Sequence, residues 1–83
     1  MPKQGPAISV GFDCAPDILA AIKKLESLPG TRSLGFMADE GNERLWLVIG
    51  CDDKDVWLAV NEIGNEGGLR VSDHGTWSRK EAP

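Results

Sequence analysis

The sequence predicts a single α+β domain whose elements follow the order β-α-β-β-α-β. Three observations lead to this fold class. Four stretches have the alternation or the apolar composition of strands, and two have apolar residues at helical spacing. A pattern in the first half of the chain also recurs in the second half. The chain has 83 residues, enough for one domain, and its apolar fraction of 41% is ordinary for a globular protein.

The first half of the chain contains two predicted strands around one helix. Ile8, Val10 and Phe12 alternate with small or polar residues, which is typical of a half-buried strand. A proline and two acids in residues 13–17 indicate the start of a helix, and Leu28-Pro29-Gly30 indicates its end. A second alternation follows at Leu34, Phe36 and Ala38.

The second half begins with a strongly apolar stretch, residues 45–49. This stretch is apolar at both strand parities, which indicates a strand at the centre of its sheet. The acidic residues 52–55 are typical of a helix start, and residues 56–63 continue with an apolar stripe at helical spacing. A last strand begins at Leu69, and its alternation fades at residues 73–75.

Two segments of the chain share one pattern at a spacing of 38 residues. Residues 17–22 and 55–60 both read acid, β-branched, two variable positions, alanine, β-branched, and Gly30 matches Gly68 at the same spacing. A duplicated β-α-β unit resembles the ferredoxin-like sandwich, a four-stranded antiparallel sheet with two helices on one face. In that fold the strands lie in the order 4-1-3-2. The second interpretation of the match is amphipathicity that arose by chance.

We expect the folded domain to span residues 7–75. Residues 1–6 contain two prolines and a glycine and are interpreted as a flexible N-terminal lead-in. Residues 76–83 are interpreted as a C-terminal tail. The alternative is that Trp77 folds back from this tail and covers apolar surface of the domain.

The charge of the chain is acidic, with 13 acidic residues against 9 basic ones and a net charge of −4. Proteins that bind nucleic acid directly present a basic face to the phosphates, and the basic residues here are scattered. The N-terminus lacks the apolar region of a signal peptide, and no apolar run has the length of a bilayer span. With two cysteines and no secretory signal, the sequence predicts a cytoplasmic protein that contacts neither nucleic acid nor membrane directly.

The predicted sandwich has one sheet face that is free of helices. If Leu47 faces the helices, Trp46 and Val48 face the free side, and Met37 joins them from the second strand. Exposed apolar surface marks interaction sites, and tryptophan is enriched at the energetic centres of interfaces. We therefore predict a protein interface at Trp46, Val48, Met37 and Trp77, with a homodimer as its simplest form. The alternative is that Trp77 folds over Trp46 and closes the face within the chain.

The cysteines and the histidine predict neither a catalytic site nor a metal site. Cys14 and Cys51 each follow a strand, but these strands run in opposite directions, so the two thiols lie at opposite ends of the sheet. Both are interpreted as buried structural residues. His74 is the only histidine and is interpreted as an exposed turn residue. Because no metal or phosphate motif has the required spacing, no cofactor is predicted.

Three non-enzymatic functions follow from these patterns. The leading hypothesis is an interaction or regulatory module that binds a protein partner, or itself, through the helix-free face. The first alternative is an acidic inhibitor of a nucleic-acid-binding partner, such as a host-defence complex targeted by a mobile element. In that alternative Asp52, Asp53 and Asp55 face the partner. The second alternative is a regulatory domain that senses a small molecule.

Overall fold

A computed structural model describes residues 3–12, 18–39 and 44–79. The six elements are β1 (Gln4–Gly11), α1 (Ile18–Glu26), β2 (Thr31–Asp39), β3 (Arg44–Cys51), α2 (Lys54–Glu66) and β4 (Arg70–Ser78). Their order is the one that the sequence predicts. The protein is therefore of the α+β class.

The four strands form one antiparallel sheet in the order β2-β3-β1-β4. This confirms the predicted strand order and the central position of β3, which pairs with β2 on one side and β1 on the other. In the register of β1 and β3, Ile8 lies opposite Ile49 and Val10 lies opposite Leu47. These four side chains therefore share one face of the sheet.

The core lies between this face and both helices. Leu25 of α1 and Val60 of α2 belong to the same buried cluster as Ile8 and Leu47 of the sheet. Each large aliphatic side chain that is buried in this way stabilises the fold by about 1.5–3 kcal/mol. Both helices thus cover one face of the sheet. No helix among the described residues is long and apolar enough to cross a membrane.

The helix ends follow the capping signals of the sequence. Asp53 is the N-cap of α2, and its carboxylate accepts a hydrogen bond of 3.0 Å from the Val56 N–H. Gly30 follows α1 with φ +83°, and Gly68 follows α2 with φ +73°. These are the two glycines that match at the 38-residue spacing, and both have the left-handed conformation that favours glycine after a helix. The predicted start of α1 at residues 13–17, and Cys14 with it, lies outside the described residues.

Both terminal strands extend beyond the predicted limits of residues 7–75. β1 begins at Gln4, inside the predicted lead-in, and β4 continues to Ser78, inside the predicted tail. Trp77 is therefore a strand residue, and it lies opposite Gly5 of β1. The two extensions pair with each other, and the hydrogen bonds between them keep both segments in the sheet.

A bulge in β4 explains why the strand pattern fades at residues 73–75. The register between β1 and β4 shifts there, so that His74 and Gly75 together stand opposite Ala7. Gly75 has φ +80°, a backbone conformation that disfavours other residues. A bulge inserts one residue without ending the pairing, and it breaks the alternation that sequence patterns rely on.

Candidate interaction site on the open face

We call the sheet face that no described helix covers the open face. The register of β1 and β3 places Ser9 opposite Val48 and Gly11 opposite Trp46. Met37 of β2 lies opposite Trp46 from the other side. Since side chains alternate along a strand, these five residues lie on the open face, away from Ile8 and Leu47.

Trp77 covers one end of the open face. Its ring lies over Gly50, where an added Cβ would come within 3.0 Å of the ring carbon Cδ1. The indole N–H donates a hydrogen bond of 2.8 Å to the carbonyl oxygen of Cys51. The structure thus has the intramolecular cover that the sequence left as an alternative. Trp77 does not cover Trp46, however, as that alternative expected. Trp77 lies opposite Gly5, whereas Trp46 lies opposite Gly11 at the other end of β1.

Arg32 packs against the Trp77 ring and links it to the start of α2. The guanidinium carbon of Arg32 lies 4.3 Å from the ring centroid, and Nη2 donates to Asp52 Oδ1 at 2.6 Å. Such a cation–π contact contributes about 0.5–2 kcal/mol, more where the cation is desolvated. The Nε atom of Arg32 is buried without a hydrogen-bond partner, so the ring and the carboxylate determine how the guanidinium is placed. We call Arg32, Asp52 and Trp77 the Trp77 clamp.

The other end of the open face contains a pocket beside Trp46. Trp46 lies across β1, and its ring carbons come within 3.2 Å of the position that a Cβ on Gly11 would take. Trp46 is partly buried and Met37 is 39% exposed, which leaves apolar surface accessible at this end. The pocket has a volume of about 390 Å³ and is lined by Ser9, Met37, Ala38, Trp46, Ser72, Asp73 and His74. We call it the Trp46 pocket.

A hydrogen bond between β1 and β4 forms the polar side of the Trp46 pocket. Ser9 Oγ and His74 Nδ1 lie 2.8 Å apart. His74 is therefore a strand residue with a specific partner, and the expectation of a turn histidine is corrected. A serine nucleophile needs an accessible hydroxyl and a third group that orients the base. Ser9 is only 2% exposed, and the Asp73 carboxylate accepts a bond from the Gly75 N–H.

The structure separates the four residues of the predicted interface into two pairs. Met37 and Trp46 line the pocket and are partly accessible. Val48 and Trp77 are buried and contribute to the packing of the open face. Of the four residues, Met37 and Trp46 are thus the pair that a partner can reach most directly, and a second cavity of about 620 Å³ lies beside Trp77 at the other end of the face.

Two of the three predicted partner-facing acids have roles inside the domain. Asp52 pairs with Arg32 in the Trp77 clamp, and Asp53 caps α2. Asp55 is exposed in the first turn of α2, where a negative charge interacts favourably with the helix dipole. Within the described residues, no three His, Cys, Asp or Glu side chains come together as metal ligands.

Cys51 is a buried free thiol. Burial raises its pKa to about 11, and the nearby charges of Asp52 and Asp53 add to the rise. The thiolate is the reactive form of cysteine, so this residue stays protonated and unreactive at neutral pH. The prediction of a structural role for Cys51 agrees with this environment.

The Cys51 pKa leads to a pH-dependent stability. The thiol ionises near its ordinary pKa of 9.0 in the unfolded chain and only at about 11 in the folded one. The stabilisation is therefore complete below pH 9 and is lost as the pH rises towards 11. Between pH 8 and pH 10, the free energy of unfolding of the wild type is expected to fall by about 1 kcal/mol relative to that of Cys51→Ala. Urea unfolding at both pH values measures this difference, and equal losses in the two proteins would contradict it.

Sequence reasoning missed three polar residues of the open face, namely Arg32, Ser72 and His74. The alternation of β1 and β3 was sufficient to place Ser9 beside Trp46. His74 could be placed only with the register of β4, and the bulge at Gly75 obscures that register. No sequence pattern indicated that Arg32 contributes to the open face, because a lone arginine at the start of a strand is normally a solvated surface residue.

No protein-family model, curated protein or solved structure matches this chain. The functional assignment therefore depends on the open face itself. Its reachable part combines a tryptophan, a methionine and a hydrogen-bonded histidine in one pocket.

Proposed function

We propose that this protein is a non-enzymatic interaction module that binds a protein partner through the Trp46 pocket and so regulates that partner. The observation that carries the proposal is the asymmetry of the open face. Trp77 is buried at one end, whereas Trp46 and Met37 remain reachable at the other.

The composition of the pocket fits the anatomy of a protein interface. Tryptophan and methionine are enriched at interface centres, and the surrounding rim is polar. Trp46 and Met37 form the apolar part here, and Ser72, Asp73 and His74 offer donors and acceptors around it. A partner side chain that enters the pocket can therefore bury apolar surface and keep its polar groups hydrogen-bonded.

The non-enzymatic part of the proposal is supported by the burial of two side chains, the Ser9 hydroxyl that bonds to the histidine and the Cys51 thiol. The Ser9 hydroxyl is buried under its bond to His74. The Cys51 thiol is buried and protonated. Neither side chain has the accessibility that attack on a substrate requires.

Two finer assignments belong to the same proposal. We assign the architecture to the ferredoxin-like sandwiches, which is supported by the element order and by the strand order β2-β3-β1-β4. We assign the protein to the cytoplasm, which is supported by the free thiol of Cys51.

Two variants test the proposed partner site. Met37→Glu and Ser72→Arg each place a charge in the Trp46 pocket at a position that is exposed in the structure. We expect each to weaken partner binding by at least about tenfold, because desolvated centres of interfaces tolerate charge poorly. Leu58→Glu is the matched control, since Leu58 is exposed on α2 and outside the pocket. Quantitative co-purification from the source cell, followed by titration of the partner that is found, measures the effect.

The same titration separates the proposal from its two alternatives. An acidic inhibitor would lose affinity steeply with added salt, and also when Asp52, Asp53 and Asp55 are neutralised. Its Met37→Glu variant would bind the partner as tightly as the wild type does. A small-molecule sensor is favoured by the volume of the pocket, about 390 Å³, which is within the range of ligand sites. A sensor would be stabilised against heat by its metabolite and would lose that response in Ser72→Arg. If Leu58→Glu weakened partner binding as much as the two pocket variants, the Trp46 pocket would be the wrong site.

A further inference from the structure

The two edges of the sheet differ in chemistry. β2 and β4 are the edge strands. β4 exposes polar residues from Ser72 to Thr76, including Asp73 and His74, and a bulge interrupts its pairing. Charged side chains and bulges are the devices by which proteins prevent strand addition at an edge. β2 also has a bulge, at Leu34, but it has no charged residue between Ser33 and Ala38.

The residues of β2 from Leu34 to Ala38 form an exposed apolar strand, which we call the β2 edge. Leu34 is 46% exposed and Phe36 is 56% exposed. Phe36 lies opposite Leu47 on the helix side, and Met37 lies opposite Trp46 on the open face, so apolar side chains flank the strand on both sides. Leu34 is the extra residue of the β2 bulge, and the pairing with β3 is regular from Gly35 to Asp39. No described strand pairs with its outer side.

We propose that the β2 edge pairs with the β2 edge of a second copy of this chain, in antiparallel orientation, to form a continuous eight-stranded sheet. A two-fold axis relates the two strands of such a pair, so the contact uses the same residues twice and closes on itself. An axis at Phe36 sets Phe36 beside Phe36 of the partner subunit and Gly35 opposite Met37 of the partner subunit, within the regular part of the strand. Pairing of β2 with β4 would instead build an open filament, and the charges and the bulge of β4 oppose it.

The available surface matches a small, reversible dimer. A fully exposed large side chain presents on the order of 150 Å². Leu34, Phe36 and Met37 are about half exposed and so contribute roughly 200 Å² per copy. The side chains of two copies therefore contribute roughly 400 Å², and the paired backbones add to this, so the buried area stays below about 1,200 Å², the range of weak and transient interfaces. We therefore expect a dissociation constant on the order of micromolar.

Charge also favours the β2 edge as the place of contact between two copies. Each chain carries a net charge of −4, so two copies repel one another. The uncharged stretch from Ser33 to Ala38 brings no further charge into the contact. Added salt screens the remaining repulsion, so the dimer is expected to hold or strengthen at high ionic strength.

The pairing has a consequence for the partner site. A two-fold axis perpendicular to the sheet keeps both open faces on the same side of the extended sheet. The two Trp46 pockets then lie roughly 20–25 Å apart, about five strand spacings. A partner with two binding elements at this distance gains avidity from the dimer. This consequence depends on the proposed function, whereas the pairing itself does not.

Sedimentation velocity of the full chain between about 5 and 500 μM tests the pairing, a range that brackets a micromolar constant. We expect the wild type to shift from monomer to dimer, and Phe36→Lys to remain monomeric because an edge lysine blocks strand addition. Leu58→Lys is the matched control, since Leu58 is 46% exposed on α2. Amide hydrogen exchange gives a second measurement, in which β2 amides of the wild type become more protected as the concentration rises. Circular dichroism shows whether each variant is folded.

Three results would overturn the proposed pairing. These are a wild type that is monomeric over the whole range, a Leu58→Lys variant that dissociates as readily as Phe36→Lys, and a dimer that forms without protection of β2 amides. The last result would indicate that the sheets stack face to face. Ser72→Arg lies on β4 and tests the Trp46 pocket alone, so a failure of the pairing and a failure of the proposed function are observed in different variants.

Discussion

Replacement of Trp77 by alanine is expected to lower the free energy of unfolding by about 3–5 kcal/mol. The variant removes a buried ring that packs on Gly50 and holds the Arg32 guanidinium at 4.3 Å. It also leaves the Cys51 carbonyl without the indole N–H that donates to it at 2.8 Å. A domain of this size has a total stability of roughly 4–12 kcal/mol, so the variant is expected to lose at least about a quarter of it.

One further substitution isolates the hydrogen bond of Trp77, and another serves as a control. Trp77→Phe keeps most of the ring and loses the hydrogen bond to Cys51, so we expect it to cost about 1–3 kcal/mol. Leu58→Ala removes a half-exposed side chain from α2 and is expected to cost less than about 1 kcal/mol. Urea unfolding followed by far-ultraviolet circular dichroism measures all three. A Trp77→Ala protein as stable as Leu58→Ala would mean that Trp77 does not close the open face.

Replacement of Gly5 by alanine is expected to cost about 2–3 kcal/mol, although it adds only one methyl group. An added Cβ would overlap the carbonyl oxygen of Cys51 and would lie 3.0 Å from the indole nitrogen of Trp77. The carbonyl is part of the backbone of a central strand and cannot rotate away. The strain is therefore relieved only if this part of β1 moves away from the Cys51 carbonyl, which also displaces it from Trp77.

Gly11→Ala is the matched control for Gly5→Ala, because both glycines lie on β1 and on the open face. The nearest atoms to an added Cβ at Gly11 belong to the Trp46 side chain, at 3.2 Å and 3.3 Å. A side chain can shift by a few tenths of an ångström, so we expect a cost below about 1 kcal/mol together with a change in Trp46 fluorescence. Equal losses of stability in the two variants would show that the close approach of Gly5 to the Cys51 carbonyl does not add to the cost of a side chain at residue 5.

The open-face site was predictable from the sequence only in part. Strand alternation placed Trp46 and Met37 together on the helix-free face, and the register confirms that they are opposite each other. The same alternation placed Val48 there but could not show that it is buried. Burial depends on which distant side chains lie over a residue, and strand alternation does not determine that. The polar half of the pocket was missed for the same reason, since Ser9 and His74 are 65 positions apart.

The sequence by itself determined the order of the elements, the central position of β3 and the capped start of α2. These features depend on residues within one or two turns or strand pairs, so local periodicity and capping chemistry are sufficient to predict them. Only the tertiary structure decided that β4 continues through a bulge to Trp77 and that Trp77 closes one end of the open face. Each of these features depends on register between distant segments. A single inserted residue such as Gly75 changes which side chains meet on a face, and no local pattern records that change.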